Sequence, residues 1–358
     1  MTLISPDATG PTKRAVSELW YTRCPVPTAS SLAIAQGWLD DEFAPDAIAV
    51  ASLRSSTDRA VRESHFSHTQ ADLFRQGGNI PPIWSRSRGG DLRLIGLSWA
   101  EQYQAIVALP GSGIREPEDL RGRRLGLTRR VNDQIDFFHA TSLRGYDSVL
   151  RHVGLSLDDV QLVDLAVEER YLPEDDASHS GSLWGAFTNR RLQSAEVLAL
   201  IRGEVDAIYV AGGRGPDLEA LVGVHVVFDI QGQDDESLKI NNITPATLTV
   251  SGTLLDDRPD LVTRYLAATL RAARWAQEHP AETRRIIAHE VGIAEDFVGP
   301  GYPRDIHAHL EPTLDEPLVT AIESQQRFLL EHGYIEQAFD VRAWIDPAPL
   351  EAARALLA

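Results

Sequence analysis

Short apolar runs of strand length alternate along the chain with longer stretches of helical period. Residues 92–97, 104–109 and 206–210 are largely apolar runs that are typical of buried strands. Residues 261–279 and 318–332 repeat apolar side chains at the spacing of amphipathic helices. Strands that alternate with helices predict an α/β fold with largely parallel sheets.

Length and charge limit the domain organisation and the kinds of partner that this chain can have. A chain of 358 residues predicts one very large domain or two ordinary ones, and a hydrophobic content of 43% suffices for a buried core. The net charge is −18, from 52 acidic against 34 basic residues. Nucleic acid is therefore not an expected partner, because phosphate neutralisation needs a basic surface. A chain this acidic needs a local positive pocket if it is to bind an anion.

Cysteine usage and the distribution of apolar residues bear on location. The single cysteine, Cys24, excludes an intramolecular disulfide. Residues 1–20 contain no apolar core of signal-peptide length, and no run reaches the roughly 18 apolar residues of a membrane helix. We therefore expect a cytoplasmic protein with no membrane partner, in a reducing compartment that keeps Cys24 as a thiol.

Cys24 lies in the motif Cys24-Pro25-Val26-Pro27, directly after a predicted strand at residues 17–21. The two prolines prevent a strand or helix from continuing through this motif. The thiol is thus expected on a loop at a strand end, where α/β sheets carry their ligands. A lone cysteine is, however, more often a small buried hydrophobic residue, and the motif alone leaves both interpretations open.

A second motif combines an imidazole with a guanidinium. Residues 64–76 are predicted to form a helix with His65 near its start, Arg75 in its last turn and Gly77-Gly78 at its end. The glycines allow positive φ and close backbone approach to a ligand. His65 can transfer a proton, and Arg75 offers a planar set of donors. With Cys24, these groups would suit an acidic sulfur or carboxyl group.

Each of these residues also has a plainer interpretation. Arg75 could be an ordinary cation at a helix C-terminus. His65 and His68 form an H-x-x-H pair, but a zinc site would need a third ligand, and no paired-cysteine or H-E-x-x-H signature accompanies it. We therefore expect no metal and interpret His68 as a helix-surface residue.

The amino-acid sequences of these motifs resemble those of a known family. Three motifs are similar to those of 2′-hydroxybiphenyl-2-sulfinate desulfinases, which act in dibenzothiophene desulfurisation. They are Cys24-Pro25-Val26-Pro27, His65-Phe66, and the stretch from Arg75 through Gly77-Gly78 to Ile80-Pro81-Pro82. The resemblance implies that Cys24 is catalytic with His65 beside it. It also implies that Arg75 and Gly78, next to Gly77, hold the sulfinate. The activity implied is hydrolysis of the C–S bond with release of sulfite, with water as second substrate and without a cofactor.

The fold that the resemblance implies is the two-lobed α/β fold of periplasmic binding proteins (type II) for sulfonate and nitrate, with mostly parallel sheets and a cleft between the lobes. Residues 1–110 and 248–358 would form the first lobe, and residues 111–247 the second. The rival function is a non-catalytic cytoplasmic binding protein for a sulfonate-like or sulfinate-like anion. Cys24 and the missing export signal count against it. The oligomeric state stays open, and a monomer is compatible with the sequence.

The organic group of the substrate is less constrained. Several aromatic residues could line a pocket for an aryl group: Trp84, Trp99, Tyr103, Phe137, Phe138, Tyr146, Trp184 and Tyr209. Residues 132–145 and the glycine-rich stretch after Tyr209 differ from the family's sequence pattern. A tryptophan expected near Tyr146 is also absent. The chemistry could thus be kept while the substrate differs. Residues 168–185 are acidic and polar, and we expect them to form a mobile loop that closes over the cleft.

Overall fold

A computed structural model describes residues 14–172 and 194–358 of the chain. The described residues form two five-stranded sheets, with strand orders β2-β1-β3-β10-β4 and β7-β6-β8-β5-β9. The strands are β1 Glu18–Arg23, β2 Ala49–Ser52, β3 Leu73–Gly77, β4 Leu92–Ser98, β5 Gln104–Ala108, β6 Arg124–Arg130, β7 Gln161–Val167, β8 Ala207–Ala211, β9 His225–Asp229 and β10 Ala246–Ser251.

Helices cover the faces and ends of both sheets. They are α1 Ala29–Ala35, α2 Trp38–Phe43, α3 Arg59–Ser67, α4 Ile80–Ser87, α5 Phe137–His152, α6 Ser194–Ile201, α7 Arg214–Val222, α8 Glu236–Lys239, α9 Gly252–Asp257, α10 Pro259–Glu278, α11 Pro280–Val291, α12 Val298–Gly301, α13 Glu316–Glu331, α14 Val341–Trp344 and α15 Ala348–Leu356. No helix in residues 14–172 or 194–358 combines the length and the apolar character that crossing a membrane requires.

The two-lobed α/β fold is confirmed, with sheets that are mixed. Among the described strands, β1 pairs in parallel with β2 and β3, and β6 pairs in parallel with β7 and β8. The strands β10 and β5 each run antiparallel to both of their neighbours. Parallel pairings therefore make up half of the total rather than most of it. The reason is that β5 and β10, the first strands after each crossing between the lobes, run antiparallel to their neighbours.

The chain crosses between the sheets earlier than predicted. It leaves the first sheet after Ser98, and Gln104–Ala108 already belongs to the second sheet, although we assigned residues up to 110 to the first lobe. The return falls at Ala246, close to the predicted residue 248. The apolar run 104–109 predicts a buried strand equally well in either sheet, so the sequence pattern could not place it.

Two large clusters of buried side chains hold this architecture together. One packs Leu19 and Phe74 of the first sheet against Leu266 and Tyr265 of the long helix α10. In that cluster the rings of Phe74 and Tyr265 stack with centroids 3.7 Å apart. The other cluster continues from Leu94 of the first sheet to Leu125 of the second. Because this second core is shared by both sheets, the lobes are joined by apolar packing as well as by the crossing segments.

Residues 64–76 do not form the single helix that we predicted. The helix α3 begins after Asp58, whose carboxylate accepts from the backbone N–H of Ala60 at 2.8 Å, and it ends at His68 with φ of 57°. His65 therefore lies in its last turn. A second residue of positive φ, Asp72, completes the reversal, and Leu73–Gly77 then runs as a buried strand between β1 and β10. Ladder hydrogen bonds to two neighbouring strands outweigh the helical preference of this stretch.

Candidate active site

The predicted site residues come from three elements that meet at one edge of the first sheet. Cys24 directly follows β1, as predicted, and Gly77 is the last residue of β3. These two strands are parallel neighbours, so their carboxyl ends lie side by side. The helix α3 brings His65 to the same edge. Cys24 lines a cleft between the two sheets with a volume of about 300 Å³.

The thiol of Cys24 has two nitrogen neighbours. Its Sγ lies 3.9 Å from Nε2 of His65 and 3.5 Å from Nη2 of Arg75. The backbone N–H of Cys24 donates to the carbonyl oxygen of Gln76 at 3.2 Å, which ties the start of the loop to β3. Cys24 is partly exposed toward the cleft, whereas His65 and Arg75 are buried behind it. The sulfur is thus open to the cleft, and both nitrogen-bearing side chains lie directly behind it.

His65 is held from both sides. Its Nδ1 lies 2.8 Å from Oγ1 of Thr22, a buried residue of β1, while its Nε2 faces Cys24. Burial is the main reason that the pKa of His65 lies well below its usual value, and the nearby cation Arg75 adds to the effect. The imidazole is thus neutral at physiological pH and has one donor nitrogen and one acceptor nitrogen to share between Thr22 and Cys24.

Arg75 is fully buried on a central strand rather than in a helical turn. Its Nε donates to the carbonyl oxygen of His65 at 3.1 Å, and its Nη1 donates to the carbonyl oxygen of Gly78 at 2.7 Å. Burial lowers the pKa of Arg75, and the Cys24 sulfur opposes that shift. In residues 14–172 and 194–358 the guanidinium forms no ion pair with a carboxylate. A buried cation without a carboxylate partner favours an anion in the adjoining space, either a thiolate or a ligand.

The two glycines have different roles in the packing. Gly77 has a φ of 149°, and a Cβ atom there would lie 2.5 Å from the Sγ of Cys24. A Cβ atom on Gly78 would lie 2.5 Å from Oδ1 of Asn242, which accepts from the backbone N–H of Ile80 at 3.0 Å. Gly77 therefore makes room for the thiol, and Gly78 makes room for an asparagine of the segment that returns to the first lobe.

One wall of the cleft near Cys24 is aromatic. Phe137, Phe138 and Tyr171 line it, with ring centroids 4.4 Å apart for the two phenylalanines and 5.3 Å apart for Phe137 and Tyr171. Tyr171 also stacks over the His65 ring, with centroids 6.1 Å apart and an interplanar angle of 23°. This wall presents flat apolar surfaces beside the thiol, which suits an aromatic ligand.

The predicted aromatic lining is only partly correct. Phe137, Phe138 and Tyr209 line the cleft. Tyr146 is buried behind Tyr209 and donates its hydroxyl to the carbonyl oxygen of Gly126 at 2.8 Å. Trp84, Trp99 and Tyr103 are absent from the described lining, and Trp184 lies outside the described residues. The predicted closing loop, residues 168–185, likewise lies outside them from residue 173 onward.

Sequence reasoning missed several lining residues, among them Tyr171 and Asn242. Tyr171 stands alone in a polar stretch, so no periodicity marked it. Asn242 follows another asparagine between a short helix and a strand, and only the clash with a Cβ atom at Gly78 reveals its role. His68 also differs from the prediction, since it is buried rather than on the helix surface, with its Nδ1 3.0 Å from the carbonyl oxygen of Phe66.

No group of His, Cys, Asp and Glu side chains within the described ranges is arranged to hold a metal ion. The side chains of His65 and His68 contact different groups. His65 faces Thr22 and Cys24, whereas His68 turns to the backbone of its own helix. The two rings thus serve different partners.

Comparison with known proteins finds a matching family model and a similar enzyme. The family model described as NMT1/THI5 like matches residues 79–283. Over 348 residues the chain is 28% identical to the 2'-hydroxybiphenyl-2-sulfinate desulfinase of Rhodococcus erythropolis, and the alignment covers 92% of this chain and 91% of that protein.

Two solved structures extend the comparison. The enzyme DSZB, crystallised as a cysteine-to-serine variant in complex with biphenyl-2-sulfinic acid, has a TM-score of 0.75 at 27% identity, over 95% of this chain and 99% of that chain. The periplasmic aliphatic sulphonate binding protein SsuA from Escherichia coli has a TM-score of 0.64 at 15% identity, over 93% of each chain. The second likeness shows the fold alone.

Two mixed sheets with a cleft between them, and a thiol at the cleft's edge, define a two-lobed α/β protein with a periplasmic-binding-protein-like fold. More specifically, the chain belongs to the NMT1/THI5-like family, whose model matches it over residues 79–283. The resemblance to the desulfinases, first seen in the motifs around Cys24, His65 and Arg75, is confirmed over nearly the whole chain. The matched family region begins one residue after Gly78, so the Cys24 side of the cleft is outside it.

Proposed function

We propose that this protein is a desulfinase that cleaves the C–S bond of an organic sulfinate and releases sulfite, with an aryl sulfinate as the substrate class. The observation that carries the proposal is the meeting of a cleft-facing thiol with a neutral imidazole and a buried arginine that has no carboxylate partner among the described residues. Homology to a desulfinase over most of the chain supports the same reaction.

Arg75 and Gly78 would bind the sulfinate group. Two of the five N–H groups of Arg75 donate to the carbonyl oxygens of His65 and Gly78, and a third lies near the thiol. The remaining donors, one on each terminal nitrogen, would be left for the two sulfinate oxygens. The backbone N–H of Gly78 would add a further donor. These groups would stabilise charge that develops on the oxygens as the C–S bond breaks.

Cys24 can act in either of two ways. As a nucleophile, its thiolate attacks sulfur, the organic group leaves as a carbanion that takes up a proton, and water then cleaves the thiosulfonate-like intermediate to thiol and bisulfite. As an acid, the thiol protonates the carbon that bears sulfur, and the SO₂ released takes up water to give bisulfite and a proton, which restores the thiol. His65, held by Thr22, orients the thiol in either case.

The aromatic wall supports an aryl group on the substrate. Phe137, Phe138 and Tyr171 stand beside the thiol, where a ring attached to sulfur would lie if the sulfinate meets Arg75. Offset or edge-to-face contacts with such a ring are worth about 0.5–1.5 kcal/mol each beyond their area. We also propose that the reaction takes place in the cytoplasm.

Sulfite release from a small panel of aryl and alkyl sulfinates tests the proposal, with biphenyl-2-sulfinate as the first member. We expect the wild-type protein to release sulfite and Cys24→Ser to lose at least about 10³-fold in kcat, or about 4 kcal/mol of barrier. The reason is that a hydroxyl is a much weaker acid and nucleophile than a thiol. The far-ultraviolet circular dichroism of the variant should match that of the wild type.

The rival function, a non-catalytic binding protein, predicts a different pattern. The likeness to a sulphonate-binding protein gives it a structural basis. A binder would show a higher melting temperature in the presence of a sulfinate without releasing sulfite. Turnover by the serine variant at the wild-type rate would exclude the cysteine chemistry.

A further inference from the structure

We infer that Arg54, an exposed arginine at the rim of the cleft, recruits anionic substrates to Cys24 through its charge. This inference rests on the proposed function, since it concerns how an anionic sulfinate reaches the same site. Neither the sequence motifs nor the chemistry described above involves this residue.

Strand register places Arg54 beside the thiol loop. β1 and β2 run in parallel, and Tyr21 lies opposite Ser52. β2 ends at Ser52, and Arg54 follows two residues later, while β1 ends at Arg23, the residue before Cys24. Arg54 lies in a single 3₁₀ turn, Leu53–Ser55, that directly follows β2. It is therefore at the same carboxyl edge of the first sheet as the thiol.

The turn that carries Arg54 is well anchored. The side chain of Leu53 is fully buried, and Oγ of Ser52 accepts from the backbone N–H of Arg54 at 3.3 Å. From α3, the helix that carries His65, the guanidinium of Arg62 donates to the carbonyl oxygens of Ser56 and Thr57 at 2.9 and 3.0 Å. The position of the Arg54 backbone is thus tied to the helix that positions the imidazole.

The charge of Arg54 acts on residues of the site from the outside. Burial and Arg75 lower the pKa of His65, and the charge of Arg54 adds to that effect. Burial raises the pKa of Tyr171, and the charge of Arg54 opposes that rise. It also favours the ionised form of Glu290, which precedes the cleft-lining Val291. Arg54 therefore lies within electrostatic range of both the aromatic wall and the end of α11 that reaches the cleft at Val291.

Among the arginines that the structure describes around Cys24, Arg54 is the one whose charge is exposed and unpaired. Arg23 is neutralised by Glu290, with Nε and Oε1 3.0 Å apart, and Arg75 is buried beneath the thiol. Arg54 is exposed and forms no ion pair with any residue in the described ranges. Because the whole chain carries −18, an anion approaching from solvent meets a repulsive field. An unneutralised cation at the rim counteracts that field locally.

The single cysteine of this chain allows a test that does not depend on turnover. Cys24 is alkylated in parallel with iodoacetate, an anion, and with iodoacetamide, its neutral counterpart, and the ratio of the two rate constants is measured. Any change in the reactivity of the thiol itself cancels in this ratio, so the ratio reports the electrostatic potential at Cys24. The variants are Arg54→Gln, Arg54→Lys and a control, Arg115→Gln.

Arg115 is a matched control. It is also exposed and without an ion pair to described residues, but it follows β5 at the end of the second sheet that faces away from the cleft. At that end Ala108 pairs with Ala207, whereas Ala211, at the other end of the strand pair, lines the cleft. The control removes the same charge from the chain at a distance from Cys24.

We expect Arg54→Gln to lower the iodoacetate-to-iodoacetamide ratio by about three- to tenfold at low ionic strength, while Arg54→Lys and Arg115→Gln stay near wild type. In about 1 M salt, where the Debye length is near 3 Å, the variants should converge. An unchanged ratio in Arg54→Gln overturns the inference. A ratio in Arg54→Lys as low as in Arg54→Gln overturns the role of charge.

The same variants separate this inference from the proposed function. With an aryl sulfinate, Arg54→Gln should lower kcat/KM by a similar factor at low salt and leave kcat nearly unchanged, because the reacting groups are intact. If the wild-type protein released no sulfite, the proposed function would fail, while the alkylation ratio would still decide whether Arg54 attracts anions to Cys24.

Discussion

At the scale of single residues, the thiol of Cys24 occupies space that a missing Cβ atom leaves open. The Sγ of Cys24 would lie 2.5 Å from a Cβ atom on Gly77, whose φ of 149° is also rare for a residue with a side chain. The distances from this sulfur to His65 and Arg75 therefore depend on a glycine that contributes no functional group. Gly77 is a positioning residue in this sense.

Gly77→Ala is expected to lower sulfite release at least tenfold, because the new methyl group displaces the sulfur from His65 and Arg75. The control is Gly89→Ala. Gly89 also has a positive φ, 84°, but no atom lies within 4 Å of a Cβ atom placed there. Backbone strain should cost each variant about 1–2 kcal/mol of stability. Steady-state kinetics and thermal unfolding of both proteins make the measurement, and full activity in Gly77→Ala would contradict the packing argument.

At the scale of elements, the start of α5 orients the aromatic wall. Asp136 caps this helix by accepting from the backbone N–H of His139 at 3.1 Å, and its other oxygen accepts from the backbone N–H of Arg130 at 2.7 Å. The first two helical residues, Phe137 and Phe138, are thereby directed into the cleft. The guanidinium of Arg130 lies 5.6 Å from the centroid of the Phe138 ring and supports it from behind.

Phe138→Leu is expected to lower the kcat/KM for an aryl sulfinate by about three- to tenfold relative to an alkyl sulfinate, because ring–ring contacts worth about 0.5–1.5 kcal/mol are lost. Competition between the two substrates in one assay gives the ratio directly. Phe339→Leu is the control, since Phe339 packs against Trp344 with centroids 5.5 Å apart and does not line the cleft. An unchanged aryl preference in Phe138→Leu would place the organic group elsewhere.

At the scale of the whole molecule, buried histidines link stability to pH. Burial is the main reason that the pKa values of His65 and His68 lie below normal, to about 3 for His68, with Arg75 contributing to both. In the unfolded chain each imidazole takes up a proton near its usual pKa of about 6.5. The unfolded state thus binds more protons below that pH, and the folded protein loses stability as the pH falls from about 6.5 toward 3.

His68→Asn should reduce this loss. Asparagine tolerates the φ of 57° at this position but does not titrate. Between pH 6.5 and 5 the histidine contributes about 2 kcal/mol of lost stability, at about 1.4 kcal/mol per pH unit. Urea unfolding of both proteins at pH 7.5 and 5.0 measures the difference, and the variant's stability should decline less by about that amount. Equal declines would contradict the assignment of His68 as a buried neutral residue.

The sequence by itself determined the parts that depend on local chemistry. Prolines after a strand placed Cys24 on a loop at the sheet's edge, and apolar runs identified strands such as Leu92–Ser98 and the helix Pro259–Glu278. The motifs around Cys24, His65 and Arg75 indicated the resemblance to desulfinases. These signals survive in a single sequence because proline geometry, apolar periodicity and short motifs act over a few neighbouring residues.

Only the tertiary structure decided the features that depend on residues far apart in the chain. Arg75 lies on a strand because β1 and β10 supply its ladder partners, and β10 follows it by about 170 residues. Gln104–Ala108 belongs to the second sheet because it pairs with β8 and β9. Tyr171 and Asn242 joined the site through contacts that leave no local pattern. Pairing and burial between distant segments outweigh local preference, since that is where most of the apolar surface and ladder hydrogen bonding of a folded chain is gained.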